Sequence, residues 1–213
     1  MGRLKNGPFS GFTGRTGSLV GTRKNGKWVM AAVVATAPKP PTLLQSYQRI
    51  KFGMVTGWLG LVSHILKLGF QAHSSTKTGF NAAVQWNLDH AVSGVAPNFT
   101  IDYTKAMFGR GGLAKGFNMA LATTEDAQLD FSWAANIING VGSGTDQAVF
   151  LVYNPAKQEF VVSPMGILRS ALSYDMALPA DFSGDNCYVW ALFVSANEKR
   201  ASDSEYLGAT VIQ

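Results

Sequence analysis

Three hydrophobic rhythms succeed one another along the chain. Residues 1–21 place glycine at 2, 7, 11, 14, 17 and 21 around the isolated apolar residues Phe9, Phe12, Leu19 and Val20. That stretch is too rich in glycine for a helix and too apolar for a plain linker. Two β-prone runs, 18–22 and 28–34, then flank Asn25-Gly26. This dipeptide is the strongest short hairpin signal, because a type I′ turn needs positive φ at both central residues. Pro38-Lys39-Pro40-Pro41 follows as a stiff linker.

From Thr42 the period becomes helical. Residues 43–53 predict a first helix with Leu43, Leu44, Tyr47 and Ile50 as its apolar side. Residues 55–71 predict a second, whose Trp58, Leu61, Val62, Ile65 and Leu66 form one stripe. Thr78-Gly79-Phe80 opens a third, with Phe80, Val84, Leu88, Ala91 and Val92 on one face and Gly94 as its stop. Pro97-Asn98 breaks that pattern, and Phe99–Tyr103 reads as a strand. From Lys115 the rhythm is one of short strands, over 116–123, 128–134, 147–154, 158–163, 171–178, 186–195 and 205–212. Strict alternation marks Leu129/Phe131/Trp133 and Leu172/Tyr174/Met176/Leu178, whereas Ala148–Tyr153 and Tyr188–Val194 are apolar on both parities, as central strands are. The predicted fold is therefore α+β: a basic glycine-rich arm and β-hairpin (1–41), a helical segment (42–97), and a C-terminal immunoglobulin- or fibronectin-like β-sandwich (98–213).

Charge changes the picture more than composition does. The first acid is Asp89; eleven bases and no acid precede it, and thirteen acids and seven bases follow. Such a two-ended chain serves a polyanion, a membrane surface or a second copy of itself. Only 15% of residues are charged, below the usual quarter. A surface so sparsely charged is expected to be covered by partners, which favours a homo-oligomer or polymer.

Candidate chemistry is thin. His64, His73 and His90 show no metal-ligand spacing, and the chain has no HExxH motif. No Gly-x-Ser-x-Gly elbow is present. Gly140-Val141-Gly142-Ser143-Gly144 lacks the Lys-Ser/Thr of a phosphate loop. Cys187 is the single cysteine, so no intrachain disulfide forms, and it reads as a small buried hydrophobe. No cofactor, no metal and no transmembrane span is expected: Phe52–Leu66, the most apolar stretch, is short and diluted by Gly53, Gly57 and Gly60. No Sec-type signal opens the chain. Cytoplasmic synthesis follows from that, while extracellular or virion destinations stay open.

Groups of residues in order along the chain carry a resemblance. They are Gly7–Gly11 with Gly14–Gly21, Thr78–Val84 followed by Pro97–Tyr103, Val152–Lys157, Arg169-Ser170-Ala171, and Ser202–Gly208. Together they resemble a bacterial domain family of unknown function over nearly the whole chain. The resemblance implies a glycine-rich head, a helical middle and a β-sandwich end, and it implies no catalytic residue. Arg23–Trp28 departs from the Trp-Lys-Gly type of segment expected there.

The basic head is the constellation that rises above background: Phe9, Phe12, Arg15, Arg23, Lys24, Lys27 and Trp28 mix cations with aromatic rings. The expected function is a non-enzymatic structural subunit of a repeating assembly, a filament, sheath or shell, built through the arm and the charge-complementary ends. Two alternatives stand beside it: nucleic-acid binding by the same head, and a carbohydrate-binding β-sandwich module.

Overall fold

The structure is a computed structural model that describes residues 3–4, 12–24, 27–33, 40–73, 77–123, 125–137 and 141–213. The chain divides into two compact units, Met1–Leu43 and Leu44–Gln213. The expected 97/98 boundary falls inside the second unit, where helices and sheets share one core.

The first unit is an antiparallel meander of β1 (Arg3–Leu4), β2 (Phe12–Thr16), β3 (Leu19–Lys24) and β4 (Lys27–Ala32), in that order. β3 and β4 realise the expected hairpin. Lys24 lies opposite Lys27, which leaves two residues between the strands; Asn25 and Gly26 lie outside the described residues. β2 adds a strand that sequence alone assigned to an irregular arm. It pairs through Gly14↔Gly21 and Thr16↔Leu19, and Gly17 turns it with φ of +57°. Gly21 is required here, since a Cβ would collide with the ring and carbonyl of Phe12.

The second unit has three layers. α1 (Leu43–Gly60) and α2 (Ser63–Gly69) run on with a 91° bend, and α3 (Gly79–His90) follows. The bend falls at 61–62 rather than at the expected break near residue 54. Glycine inside a helix costs about 1 kcal/mol, and burial of Val55, Trp58 and Leu59 carries the helix past Gly53 and Gly57. The bend lets both pieces bury apolar residues while Leu61, expected in the stripe, is left 53% exposed. The expected apolar side of the first helix is also largely outward, with Leu43, Leu44 and Ile50 exposed.

Thr78 caps α3 by accepting from the Asn81 amide at 3.2 Å. The helix ends at His90 and turns into a hairpin, β5 (Val92–Val95) and β6 (Asn98–Ile101). Val92 and Gly94 thus belong to a strand, not to the helix end. Gly94 has φ of +93°, and a Cβ there would strike the Asn98 carbonyl. The buried face of α3 centres on Ala83, Val84 and Asn87. Asn87 is buried without penalty because its amide donates to the carbonyls of Ala83 (2.9 Å) and Met107 (2.8 Å) and accepts from the Met107 amide (3.0 Å).

The remaining strands are β7 (Phe117–Ala122), β8 (Gln128–Ala134), β9 (Gln147–Asn154), β10 (Glu159–Val162), β11 (Ile167–Leu168), β12 (Ser173–Ala177), β13 (Asn186–Val194) and β14 (Glu205–Val211). They make two antiparallel sheets, ordered β12-β8-β7 and β10-β9-β13-β14, with the short β11 also on β9. Leu129, Phe131 and Trp133 of β8 and Met176 of β12 meet Phe150, Val189 and Phe193 of the larger sheet in one core. The opposite face of that larger sheet, Leu151, Tyr153, Trp190 and Leu192, packs under the helices. β9 and β13 are covered on both sides, which is why both parities of these strands are apolar. Trp58 is the central contact of the helical layer, with its ring 5.4–5.7 Å from those of Tyr103, Phe108, Tyr153 and Phe160.

Candidate functional site

The six described residues of the basic head do not form one cluster. Phe9 lies outside the described residues. Phe12 is half-buried on β2. Arg15 lies opposite Val20 and its Nε donates to the Gly17 carbonyl at 3.1 Å. Arg23 lies opposite Trp28, with its guanidinium 5.5 Å from the ring centroid, a cation–π contact. Lys24 and Lys27 are the next register pair. Arg23, Lys24, Lys27 and Trp28 therefore gather at one end of the β3–β4 ladder. Arg15 stands roughly 13 Å away, four residues along β3.

β4 is unusual for a strand. Trp28, Val29 and Met30 are 46%, 39% and 61% exposed, and Ala31 and Ala32 are exposed as well. Neighbouring side chains on a strand point to opposite faces, so this sheet shows apolar surface on both sides. Sheets of so few strands need a packed face to be stable.

Charge is sorted by sheet. Every charged residue on β1–β4 is basic. Every charged residue on the strands of the second unit is acidic: Asp130, Glu159, Asp175 and Glu205. Asp130 and Asp175 lie directly opposite one another on β8 and β12. Sequence reading passed over both. The signal was present, because the inward alternation of Leu129, Phe131 and Trp133 sends Asp130 outward, but the register that sets Asp175 beside it is tertiary.

The second unit also holds a groove of about 770 Å³ between α1, β6 and β9, lined by Gly53, Gly57, Trp58, Ile101, Tyr103 and Tyr153 among others. Burial pushes the Tyr103 phenol up to about 12, and the neighbouring Tyr153 adds to the rise. A smaller hollow of about 230 Å³ is edged by His73, Lys77, Asp89 and Arg110. Beside it the Arg110 guanidinium lies 4.2 Å from the Trp86 ring, on which His90 stacks at 3.8 Å. The aromatic side chains of the larger sheet are split between two cores, Tyr153, Phe160 and Trp190 under the helices and Phe150 and Phe193 against the smaller sheet, with Trp190 fully buried and Tyr153 nearly so. Cys187 is fully buried, and burial raises its thiol to about 11. Among the described residues, no three His, Cys, Asp or Glu side chains converge as a metal site would require. No single described helix is long and apolar enough to cross a membrane.

One charged pair is wholly internal. Arg169 is 1% exposed and Asp146 3%. Arg169 Nε donates to Asp146 at 3.2 Å, its two terminal nitrogens donate to Asn136 and to the carbonyls of Ala114 and Lys115, and its guanidinium lies 3.9 Å from the Phe193 ring. All three guanidinium nitrogens donate, so this buried arginine ties the loops at one end of the sandwich together.

A family model covers residues 11–208. The chain belongs to the family of unknown function DUF6266. No curated protein matches it. Among solved structures, the fn3 domain of the human collagen alpha-1(XX) chain is similar at 17% identity, over 49% of this chain and 89% of that one, with a TM-score of 0.33. A likeness at that score carries no argument, and family membership brings no activity with it.

Proposed function

We propose that the protein is a non-enzymatic structural subunit that assembles with copies of itself through its N-terminal sheet. The observation that carries this reading is the exposed β4: a strand with apolar side chains bare on both faces, in a small sheet whose charges are all basic. Such a sheet gains stability by being covered, and an acid-bearing second unit is a complementary cover. Head-to-tail contact of this kind propagates into rings or filaments. The strand order of the second unit, β12-β8-β7 facing β10-β9-β13-β14, supports reading it as a fibronectin- or immunoglobulin-like sandwich, a scaffold that presents edges and loops.

The test is electron microscopy and light scattering of the purified protein beside a variant lacking residues 1–36. The full chain forms particles larger than a monomer, and the truncated chain is a folded monomer. A monodisperse monomer from the full chain, unchanged by the truncation, refutes the proposal.

The end of the ladder where Arg23 stacks on Trp28 next to Lys24 and Lys27 favours a second reading, binding of a nucleic acid through phosphates and stacking. It requires binding that weakens steeply with salt and is lost in Lys24→Glu/Lys27→Glu. Absence of binding to single-stranded and duplex DNA at low salt removes it.

A further inference from the structure

β12 is the outer strand of the smaller sheet, with no described strand on its far side. Its hydrogen bonds to β8 fix which of its amides are free. The Trp133 amide donates to the Leu172 carbonyl at 2.9 Å, and the Leu178 amide donates to the Ala127 carbonyl at 2.7 Å. Hydrogen-bonded and non-hydrogen-bonded pairs alternate along an antiparallel ladder. The backbone N–H and C=O groups of Ser173, Asp175 and Ala177 therefore point away from β8, along an open edge.

β4 offers the matching set. The Val33 amide donates to the Ser18 carbonyl at 2.6 Å. With the register Lys24↔Lys27 through Leu19↔Ala32, the same alternation turns the amides of Trp28, Met30 and Ala32 toward the open side of β4. Among the described residues, each edge thus presents three residues' worth of unmet ladder groups, two residues apart.

Charge distinguishes which edge accepts which. Asp130 and Asp175, the only charged residues on β7, β8 and β12, face each other across one ladder step. Like charges directly opposite are unfavourable, and an acid in mid-edge repels another acid-bearing edge. β10 carries Glu159 and β14 carries Glu205, so both are poor partners, as is a second β12. β4 and its neighbour β3 bring Arg23, Lys24 and Lys27 and no acid. Immediately before β12, the exposed Leu172 offers apolar surface to Trp28 and Met30.

We propose that the recipient surface for the N-terminal sheet is the β12 edge of a second copy, with β4 adding as a strand beside β12 so that the basic β3–β4 hairpin lies next to Asp130 and Asp175. The contact is heterologous: each copy donates one edge and receives at another. This inference rests on the assembly reading above and names its acceptor.

The experiment uses two full-length variants with opposite defects, measured by size exclusion with light scattering. Asp130→Lys/Asp175→Lys destroys the acceptor and keeps the donor; Arg23→Glu/Lys24→Glu/Lys27→Glu does the reverse. Wild type forms species of at least twice the monomer mass. Each variant alone is a folded monomer by circular dichroism and scattering. Their equimolar mixture associates again, because the intact donor of one variant meets the intact acceptor of the other and the two reversed edges carry opposite charges. Ala177→Pro, which removes an edge donor without changing charge, weakens wild-type assembly. If wild type assembles and Asp130→Lys/Asp175→Lys assembles equally well, the β12 acceptor is wrong while the assembly reading stands. If each variant is a monomer but the mixture stays monomeric, the pairing of these two edges is wrong. If wild type is itself a monomer at every salt and protein concentration, both fall.

Discussion

Replacing Asp146 by Asn removes the charge opposite Arg169 while keeping the side chain's size. Arg169 Nε lies 3.2 Å from the Asp146 carboxylate. At an effective dielectric near 20, two unit charges at that separation attract by about 5 kcal/mol before any cost of burial is counted. Both groups are almost wholly removed from water, at 1% and 3% exposure, so the guanidinium has no solvent to fall back on. Burial already presses its pKa down, and the carboxylate opposes that. Leaving a buried charge without its partner costs about 3–5 kcal/mol. The remaining acceptors, Ala114, Lys115 and Asn136, together with the Phe193 ring, place Asp146→Asn near the lower end of that range. In a domain of this size 1 kcal/mol moves the melting temperature by about 2–4 °C, so a fall of roughly 6–12 °C is expected. Thermal and urea unfolding followed by circular dichroism measures it. The double variant Asp146→Asn/Arg169→Met removes both charges and is expected to be less destabilised than the sum of its singles by about 1–3 kcal/mol. A loss under about 1 kcal/mol for Asp146→Asn, or strict additivity in the cycle, would falsify the claim that this pair is a coupled buried tie.

Glycines separate two environments. A Cβ at Gly69 would run into the Phe108 carbonyl, so Gly69→Ala destabilises, whereas Gly57→Ala meets open space inside α1 and stabilises by about 0.5–1 kcal/mol; equal effects in urea unfolding would overturn this contrast. Trp58→Ala removes the ring that touches Tyr103, Phe108, Tyr153 and Phe160 and costs about 3–5 kcal/mol by the same assay. The Cys187 thiol, buried and raised to about 11, is expected to resist thiol reagents in native buffer and to react at the rate of unfolding; rapid labelling of folded protein contradicts its placement. Tyr103 stays protonated in the fold until about 12, against 10.0 for an ordinary tyrosine. The folded state therefore holds a proton that the unfolded state releases, and stability declines as pH rises from about 10 toward 12. Tyr103→Phe flattens that decline, and ultraviolet titration of tyrosinate shows one fewer late-ionising phenol.

Much of the second unit was legible along the chain. Strands 128–134 and 147–154 coincide with β8 and β9, and the double-parity apolar runs announced strands covered on both faces. These signals are local: side-chain parity and period report directly which face is dry. The Thr78 cap was local for the same reason. What covers a face is not local. Nothing near Val92 or Gly94 reveals that they leave the helix to pair with Ile101 and Phe99, since that exchange depends on partners across a turn. The run of α1 through two glycines was decided by Trp58 and its distant ring contacts, which outweigh about 1 kcal/mol of helix propensity per glycine. Arg169 and Asp146, 23 residues apart, read as ordinary surface charges until the fold buries them together.

The charge division had the same two levels. That the first 88 residues hold no acid is a property of the sequence, as is the grouping of Arg23, Lys24, Lys27 and Trp28 around one turn. Tertiary structure turned that grouping into an open edge with its apolar residues bare. It also set Asp130 opposite Asp175 at another open edge, because register, which no local pattern carries, is fixed only when the strands share a core.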